Sequence, residues 1–237
     1  MEKTQEEVLH RHPFWQPKEG YRYSLDALLV AGFVSPSSKS LKVLDIGTGS
    51  GIITLLLSKR FPQHEYAAVE IQQDLHDLAA LNFDLHQLPV DLHLGDYKDL
   101  SGQDRFDLIV SNPPFFKTGN TPADPGVAIA RHEIHATMES LIAVSNKLLR
   151  GGGFLYLIYP ASRLGELLHQ LSLNKLMPYA LKPVYPRPGK GAELVLVAAK
   201  KGHRGDLMVL SPFHVYAQGE VDSTETTWLY EKGEIRW

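Results

Sequence analysis

From residue 41 onward, short apolar runs alternate with segments whose apolar residues recur at helical spacing. Apolar runs of four to eight residues between turn residues are typical of buried strands, and leucines three or four positions apart indicate a helix. The pattern predicts strands over residues 41–46, 66–71, 90–94, 106–110, 154–159, 179–185 and 194–199. It predicts helices over residues 52–60, 74–88, 138–149 and 162–173, the third of them ending at the glycines 151–153.

Strands of this kind, alternating with helices, indicate an α/β fold with a doubly wound, mainly parallel sheet that is covered on both faces. We divide the chain into three segments. Residues 41–204 are expected to form the main domain. Residues 1–40 are expected to form an N-terminal lid over a cofactor or substrate, and residues 205–237 a C-terminal tail packed on the domain.

The composition narrows the class of protein. The chain has 237 residues, enough for one large domain, and its 43% hydrophobic and 22% charged residues exclude disorder over the whole length. No apolar run approaches the roughly 20 residues of a membrane-spanning helix, and the first residues lack the apolar core of a secretory signal. Cysteine is absent, which excludes disulfides and thiolate chemistry and agrees with a cytoplasmic location.

The net charge of −3 gives no general sign of nucleic-acid binding, but the charge is unevenly distributed. Residues 163–204 contain eight basic and two acidic residues, whereas residues 41–150 contain nine basic and fourteen acidic ones. A basic stretch beside an acidic body attracts a polyanion through counterion release. The alternative is an ordinary solvated surface.

A glycine-rich loop, Asp45-Ile46-Gly47-Thr48-Gly49-Ser50-Gly51, follows the first predicted strand and begins a helix. Glycine permits close approach of the backbone to a ligand, and the amides at a helix N-terminus favour anionic groups. Ile52 stands where a dinucleotide-binding loop has its third glycine, which disfavours NAD and an oxidoreductase. The loop fits a smaller ligand with a carboxylate and an amine, or alternatively a tight turn without a ligand.

Two acidic residues follow the next two strands. Glu70 ends the second strand, where a carboxylate can accept hydrogen bonds from ribose hydroxyls. Asp96 follows the third strand, where a carboxylate can accept a hydrogen bond from the exocyclic amine of adenine. Each acid alone is as often a loop or capping residue. Because the ends of these strands lie side by side in this fold, we expect a nucleoside pocket.

The sequence Asn112-Pro113-Pro114-Phe115 directly follows the fourth strand. Two prolines stiffen the chain and remove two backbone donors, so the loop presents the side-chain carbonyl of Asn112 and the backbone carbonyl of Pro113. Two such acceptors can hold both N–H bonds of a planar amine, and the ring of Phe115 offers a stacking surface worth about 1–3 kcal/mol. The alternative is a proline-rich surface turn.

The glycine loop, Glu70, Asp96 and the Asn-Pro-Pro-Phe sequence together resemble the class I methyltransferases that depend on S-adenosylmethionine and methylate planar nitrogens. The resemblance implies a Rossmann-like sheet of seven strands, the last antiparallel. It implies that Asp45, Gly47, Gly49, Gly51, Glu70 and Asp96 bind the cofactor. It implies that Asn112, Pro113, Pro114 and Phe115 are the catalytic residues that hold the target amine.

Within that group the chain is most similar to the bacterial tRNA methyltransferases that modify the N6 amine of adenosine 37 in a valine tRNA. The similarity is carried by residues 16–34, by Ala130-Arg131-His132-Glu133 and by residues 182–202. It implies tRNA as partner, with a basic surface within residues 163–204. Alternatives with the same chemistry are a ribosomal RNA guanine, a DNA adenine and a protein glutamine. No metal is expected, because residues 132–135 miss the spacing of the H-E-x-x-H zinc motif by one residue.

Overall fold

The structure is a computed structural model that describes residues 2–9, 11–20, 22–36, 40–103, 105–114 and 137–237. Its strands are β1 (Lys3–Val8), β2 (His12–Pro17), β3 (Lys42–Ile46), β4 (Glu65–Glu70), β5 (Val90–Leu94), β6 (Phe106–Ser111), β7 (Leu149–Pro160), β8 (Leu176–Tyr185), β9 (Leu194–Lys201), β10 (Met208–Val209) and β11 (Phe213–His214). Its helices are α1 (Leu25–Phe33), α2 (Ile52–Arg60), α3 (Gln73–Leu85), α4 (Met138–Leu148), α5 (Leu164–Leu173) and α6 (Thr224–Lys232).

The main sheet has the strand order β5-β4-β3-β6-β7-β9-β8, and the two short strands β10 and β11 pair with the outer edge of β8. All neighbours are parallel except β9, which runs antiparallel to both β7 and β8. The predicted doubly wound sheet of seven strands with the last antiparallel is therefore confirmed. The strand order reverses between β3 and β6, which is where ligands bind in sheets of this type.

Helices cover both faces of the sheet, as the apolar strands require. On one face α1, α2 and α3 pack against side chains such as Val43, Tyr66 and Ala68. On the other face α4 and α5 pack against side chains such as Leu44 and Val69. Side chains alternate between the faces along a strand, so Asp45 points to the same side as Val43, toward α2.

The end of α4 falls within one residue of the predicted Leu149, but the predicted role of the glycines 151–153 as the helix stop is wrong. The helix ends at Leu148, and β7 begins at the next residue, so the glycines 151–153 lie within the strand. Gly152 has a φ of +81°, and the register between β6 and β7 shifts opposite Asp107. A Cβ at Gly153 would lie 3.0 Å from the carbonyl oxygen of Asp107. The glycines therefore form a bulge close to the neighbouring strand rather than a helix stop.

The two ends of the chain contain elements that the hydrophobic pattern does not predict. Strands β1 and β2 form an antiparallel hairpin outside the main sheet. The C-terminal residues contribute β10, β11 and α6, whose first turn is capped by the Ser223 hydroxyl accepting from the Thr226 amide. Among the described residues, no helix is long and apolar enough to cross a membrane.

Candidate active site

The carboxyl ends of β3, β4, β5 and β6 meet at one edge of the sheet, which we call the carboxyl edge. In the strand register Ile46 lies beside Val69 on one side and Ser111 on the other, and Glu70 lies beside Leu94. Neighbouring strands are about 4.8 Å apart. Gly47, Glu70, Asp96 and Asn112 each lie at or within two residues of one of these strand ends. The structure therefore brings four separately predicted parts of the candidate site to adjacent positions.

The glycine-rich loop turns from β3 into α2 with left-handed backbone conformations. The φ angles are +71° at Gly47, +59° at Gly49 and +92° at Gly51. A Cβ at Gly51 would lie 2.7 Å from the ring of Phe83, so both conformation and packing require glycine there. The amide of Gly47 donates to the Val69 carbonyl at 3.0 Å, which holds the loop against β4.

Asp45 lies beneath this loop and is buried. One carboxylate oxygen, Oδ2, accepts hydrogen bonds from the Thr48 and Thr54 hydroxyls at 2.7 and 2.8 Å. Burial raises the pKa of Asp45 to about 6, against the effect of those two hydrogen bonds. The other oxygen, Oδ1, is buried without a hydrogen-bond partner. A buried acceptor without a partner fits a ligand that brings a donor or a positive charge, as the amine of S-adenosylmethionine would.

Glu70 closes the other side of the loop. Its two carboxylate oxygens accept from the backbone amides of Gly49 and Gln72, both at 2.9 Å. Burial raises the pKa of Glu70, and the hydrogen bonds from these amides oppose that rise. Each oxygen keeps acceptor capacity beyond these bonds. The carboxylate is therefore fixed in orientation and able to accept hydrogen bonds from a diol.

Asp96 lies one strand further along the edge. It caps a short 3₁₀ turn, with Oδ1 accepting from the Lys98 amide at 2.9 Å. Its other oxygen lies 3.0 Å from the Lys98 ammonium, and both side chains are partly exposed. An adenine amine at this position would share the carboxylate with Lys98. The sequence signal that identified Asp96 did not reveal this partner.

Asn112 and Pro113 are half-buried, and Pro114 is exposed. The preceding residue, Ser111, donates from its hydroxyl to the Ile46 carbonyl at 2.8 Å, so the start of this segment is fixed to the end of β3. The Asn112 amide forms no hydrogen bond with a described residue, which leaves its carbonyl available to a ligand. Phe115 and the segment 130–135 that carries part of the family resemblance lie outside the described residues.

Two buried polar residues near the loop escaped the sequence analysis. Thr54, in the apolar helix α2, donates to Asp45. Asn82, in α3, donates to the carbonyls of Ser50 and Trp15 at 2.8 Å and accepts from the Trp15 amide at 2.7 Å. Asn82 thereby connects the N-terminal hairpin to the glycine-rich loop. In both cases a polar residue on the buried face of a helix is the available sequence signal.

Possible metal ligands do not cluster in the described part of the chain. No group of three or more His, Asp or Glu side chains suited to a metal ion occurs there. The segment 132–135, whose spacing led us to expect no zinc site, is not part of the described chain.

Comparison with known proteins places this site in a family. The profile of the family called methyltransferase small domain matches residues 26–171. Two strains of Porphyromonas gingivalis have relatives named tRNA1(Val) (adenine(37)-N6)-methyltransferase. One is 38% identical over 65% of this chain and 63% of its own length, and the other 36% identical over 74% and 72%.

The chain belongs to the methyltransferase small domain family, since the matched residues are more than half of its length. A solved structure from Agrobacterium tumefaciens, described as a predicted O-methyltransferase, shares the fold with a TM-score of 0.70. It is 20% identical and covers 90% of this chain and 98% of its own. Family and fold confirm the predicted class, a class I methyltransferase with S-adenosylmethionine as cofactor.

Proposed function

We propose that this protein transfers a methyl group from S-adenosylmethionine to the exocyclic N6 amine of adenosine 37 in a valine tRNA. The observation that carries the proposal is the adjacency of β3 and β6, with Ser111 hydrogen-bonded to Ile46. It sets Asn112 beside the glycine-rich loop, so an amine held at Asn112 is next to the cofactor. The relatives of this chain are named for this modification, which supports the choice of substrate.

The glycine-rich loop, Asp45, Glu70 and Asp96 are proposed to bind the cofactor. When bound, S-adenosylmethionine supplies an electrophilic methyl group. The loop amides and the N-terminus of α2 suit the carboxylate of the methionine part, and the unpartnered oxygen of Asp45 suits its amine. The fixed carboxylate of Glu70 suits the ribose hydroxyls, and Asp96 suits the adenine amine.

Asn112 and Pro113 are proposed to orient the target. Their two carbonyl oxygens accept the two N–H bonds of the amine, which directs the nitrogen lone pair toward the methyl group. These acceptors stabilise the positive charge that grows on nitrogen, and correct positioning supplies much of the acceleration. The stacking of the base on Phe115 stays a prediction. No side chain is assigned as a general base, because the methylated amine becomes acidic and loses its proton late.

An adenosine in a tRNA loop suits this arrangement. The target base must leave its stack to reach Asn112, and extrusion costs less from a single-stranded loop than from a duplex. A tRNA substrate also agrees with a cytoplasmic location, which we propose on that ground.

The proposal is tested by incubating the protein with methyl-labelled S-adenosylmethionine and four substrate pools. These are total tRNA from a strain that lacks the modification, ribosomal RNA, double-stranded DNA and a glutamine-containing release factor. We expect label in the tRNA pool, concentrated in the valine isoacceptor. Label only in one of the other three pools would overturn the assignment while leaving the class of enzyme intact.

A further inference from the structure

The topology of the sheet divides the basic stretch 163–204 between two opposite edges. Strands β7 and β8 are parallel and β9 is antiparallel to both, so the β8–β9 connection with Arg187 and Lys190 lies at the carboxyl edge. Lys175, just before β8, and residues 200–204, at the end of β9, lie at the opposite edge. We call this the amino edge. Along β7, from Gly152 to Pro160, the two edges are about 26 Å apart at roughly 3.3 Å per residue.

The amino edge contains an open cleft of about 560 Å³. It is lined by Asn146, Gly151, Gly152, Lys175, Lys200, Lys201, Gly202, His203 and Arg204. Four of these side chains are lysine or arginine, one is histidine, and none is a carboxylate. The charge of the lining is therefore of one sign, in a protein whose net charge is negative.

Left-handed turns shape the cleft. Gly152 and Gly202 have φ angles of +81° and +76°, and Lys175 has a φ of +59°. Glycine adopts this conformation freely, but lysine does so at a cost, and such strain concentrates where a side chain has a function. Glycine at position 175 would relieve the backbone strain, but it would remove a charged side chain from the lining of the cleft.

The cations of the cleft are of two kinds: Lys201 is held by hydrogen bonds, whereas Lys175 and Arg204 are exposed. The Lys201 ammonium donates to the Asn146 and Leu149 carbonyls at 2.7 and 2.6 Å, and thus stays at the end of α4. Lys175 and Arg204 are exposed and form no ion pair with a described residue. Further along the same edge, the Asp107 carboxylate on β6 is paired with Arg150 at 3.1 Å.

Aromatic rings lie next to these cations. The Lys200 ammonium is 4.9 Å from the centre of the Phe154 ring and 5.8 Å from that of Tyr179, and the His203 ring meets Tyr179 edge-on. Lys200 and Lys201 are consecutive residues of β9, so their side chains point to opposite faces of the sheet and their ammonium groups do not converge on one point. A row of separated cations suits successive phosphates of a polymer better than one small anion.

We propose that this cleft binds backbone phosphates of the substrate tRNA at a point remote from the methylated base. The inference rests on the proposed function, because it takes the same RNA as its ligand. Since the cleft lies on the opposite edge from Asn112, its contacts add to the affinity for tRNA and leave the chemical step unchanged. The cleft thereby contacts parts of the tRNA beyond the anticodon loop.

The test compares two double variants of the full chain that lose the same net charge. Lys175→Gln with Arg204→Gln removes the two exposed cations of the cleft, and Lys18→Gln with Lys232→Gln removes two exposed cations away from it. All four positions are on the surface, so both variants are expected to fold. For an unmodified valine tRNA we expect the cleft variant to bind about tenfold more weakly at low salt, with the slope of log affinity against log salt reduced by about 2. Its kcat should be unchanged.

Three results would overturn the inference. They are unchanged affinity and salt slope in the cleft variant, an equal loss in the control variant, and a cleft-dependent binding of pyrophosphate without any effect on tRNA. Failure of the proposed function gives a different result, because the wild-type protein itself would then not methylate tRNA. If the wild type methylates tRNA and the cleft variant binds tRNA as tightly as the wild type does, only the proposed role of the cleft is contradicted.

Discussion

Asn112 directly follows the last residue of β6, and its side chain forms no hydrogen bond with a described residue. Replacing it with alanine removes one of the two proposed acceptors for the target amine and none of the groups proposed for the cofactor. We expect Asn112→Ala to lower the methyl-transfer rate by about 100- to 1000-fold, the usual cost of losing one group that stabilises transition-state charge. Calorimetry should give a nearly unchanged Kd for S-adenosylmethionine. An equal loss of rate and cofactor affinity would contradict the role assigned to Asn112.

Asp45 predicts a pH dependence of stability. Burial raises its pKa from 3.8 to about 6, so the folded state holds a proton that the unfolded state has lost between these values. Stability must therefore fall as pH rises through that window. Relative to Asp45→Asn, the wild-type free energy of unfolding should fall by about 2 kcal/mol between pH 4 and pH 7, as urea titrations can measure. Parallel pH profiles for the two proteins would contradict the buried, perturbed carboxyl.

The residues that could be predicted from the sequence share one property: each lies at or directly after the end of a strand. Gly47, Glu70 and Asn112 are of this kind, and chain order alone sets them at one edge of the sheet. Asn82 could not be found in this way, because its role depends on which face of α3 is buried. The leucine pattern suggests a face through Leu85, but that residue is 41% exposed and the buried face runs through Asn82.

At the scale of elements, the hairpin β1–β2 depends on α3 for its position. Asn82 is fully buried and forms hydrogen bonds with both the amide and the carbonyl of Trp15. Asn82→Leu keeps the branched arrangement of heavy atoms but leaves those groups and the Ser50 carbonyl without partners, at a cost of about 2–4 kcal/mol. Relative to the wild type, we expect the variant to show faster hydrogen exchange in β1 and β2, with a smaller change in β3–β7. We also expect it to bind S-adenosylmethionine more weakly. Unchanged exchange in the hairpin would show that other contacts hold it.

Most of the seven strands of the main sheet were predictable because they are short apolar runs buried on both faces, whereas the edge strand β5 is only partly buried. The hairpin was not, because Lys3–Val8 and His12–Pro17 lack a clear apolar alternation and owe their position to tertiary contacts. The two-residue strands β10 and β11 are too short to carry a pattern at all. The role of the glycines 151–153 was misjudged for a related reason, since a glycine run stops a helix and permits a bulge equally well.

At the scale of the whole molecule, the end of the chain is fastened to α1. The Trp237 ring stacks on Phe33 at 4.9 Å between centroids and donates to the Phe33 carbonyl at 3.0 Å, and the Ile235 amide donates to the Gly32 carbonyl at 2.8 Å. We expect Trp237→Ala to lower the free energy of unfolding by about 2 kcal/mol, because these contacts are lost. The loss is smaller than for a fully buried tryptophan, since the ring is partly exposed. Denaturant titration measures this, and a wild-type midpoint in the variant would contradict the anchoring role.

The candidate active site and the basic cleft lie at opposite edges of the sheet, which the linear sequence does not reveal. The carboxyl edge carries the acids and the Asn112 segment, and the amino edge carries the cleft cations. The sequence predicted a basic stretch but not its division, because only the direction of β9 sends Lys200–Arg204 away from the carboxyl edge. Counting charged residues along the chain therefore shows how many basic residues the stretch 163–204 contains, but not at which edge of the sheet they lie.

Mapping the methylated atom is the decisive experiment on the proposed methylation of adenosine 37. An unmodified valine tRNA transcript and the same transcript with guanosine at position 37 are incubated with the protein and labelled S-adenosylmethionine, then digested and analysed by mass spectrometry. We expect N6-methyladenosine from the first transcript and none from the second. Methylation of both transcripts alike, or at an atom other than an exocyclic amine, would contradict it.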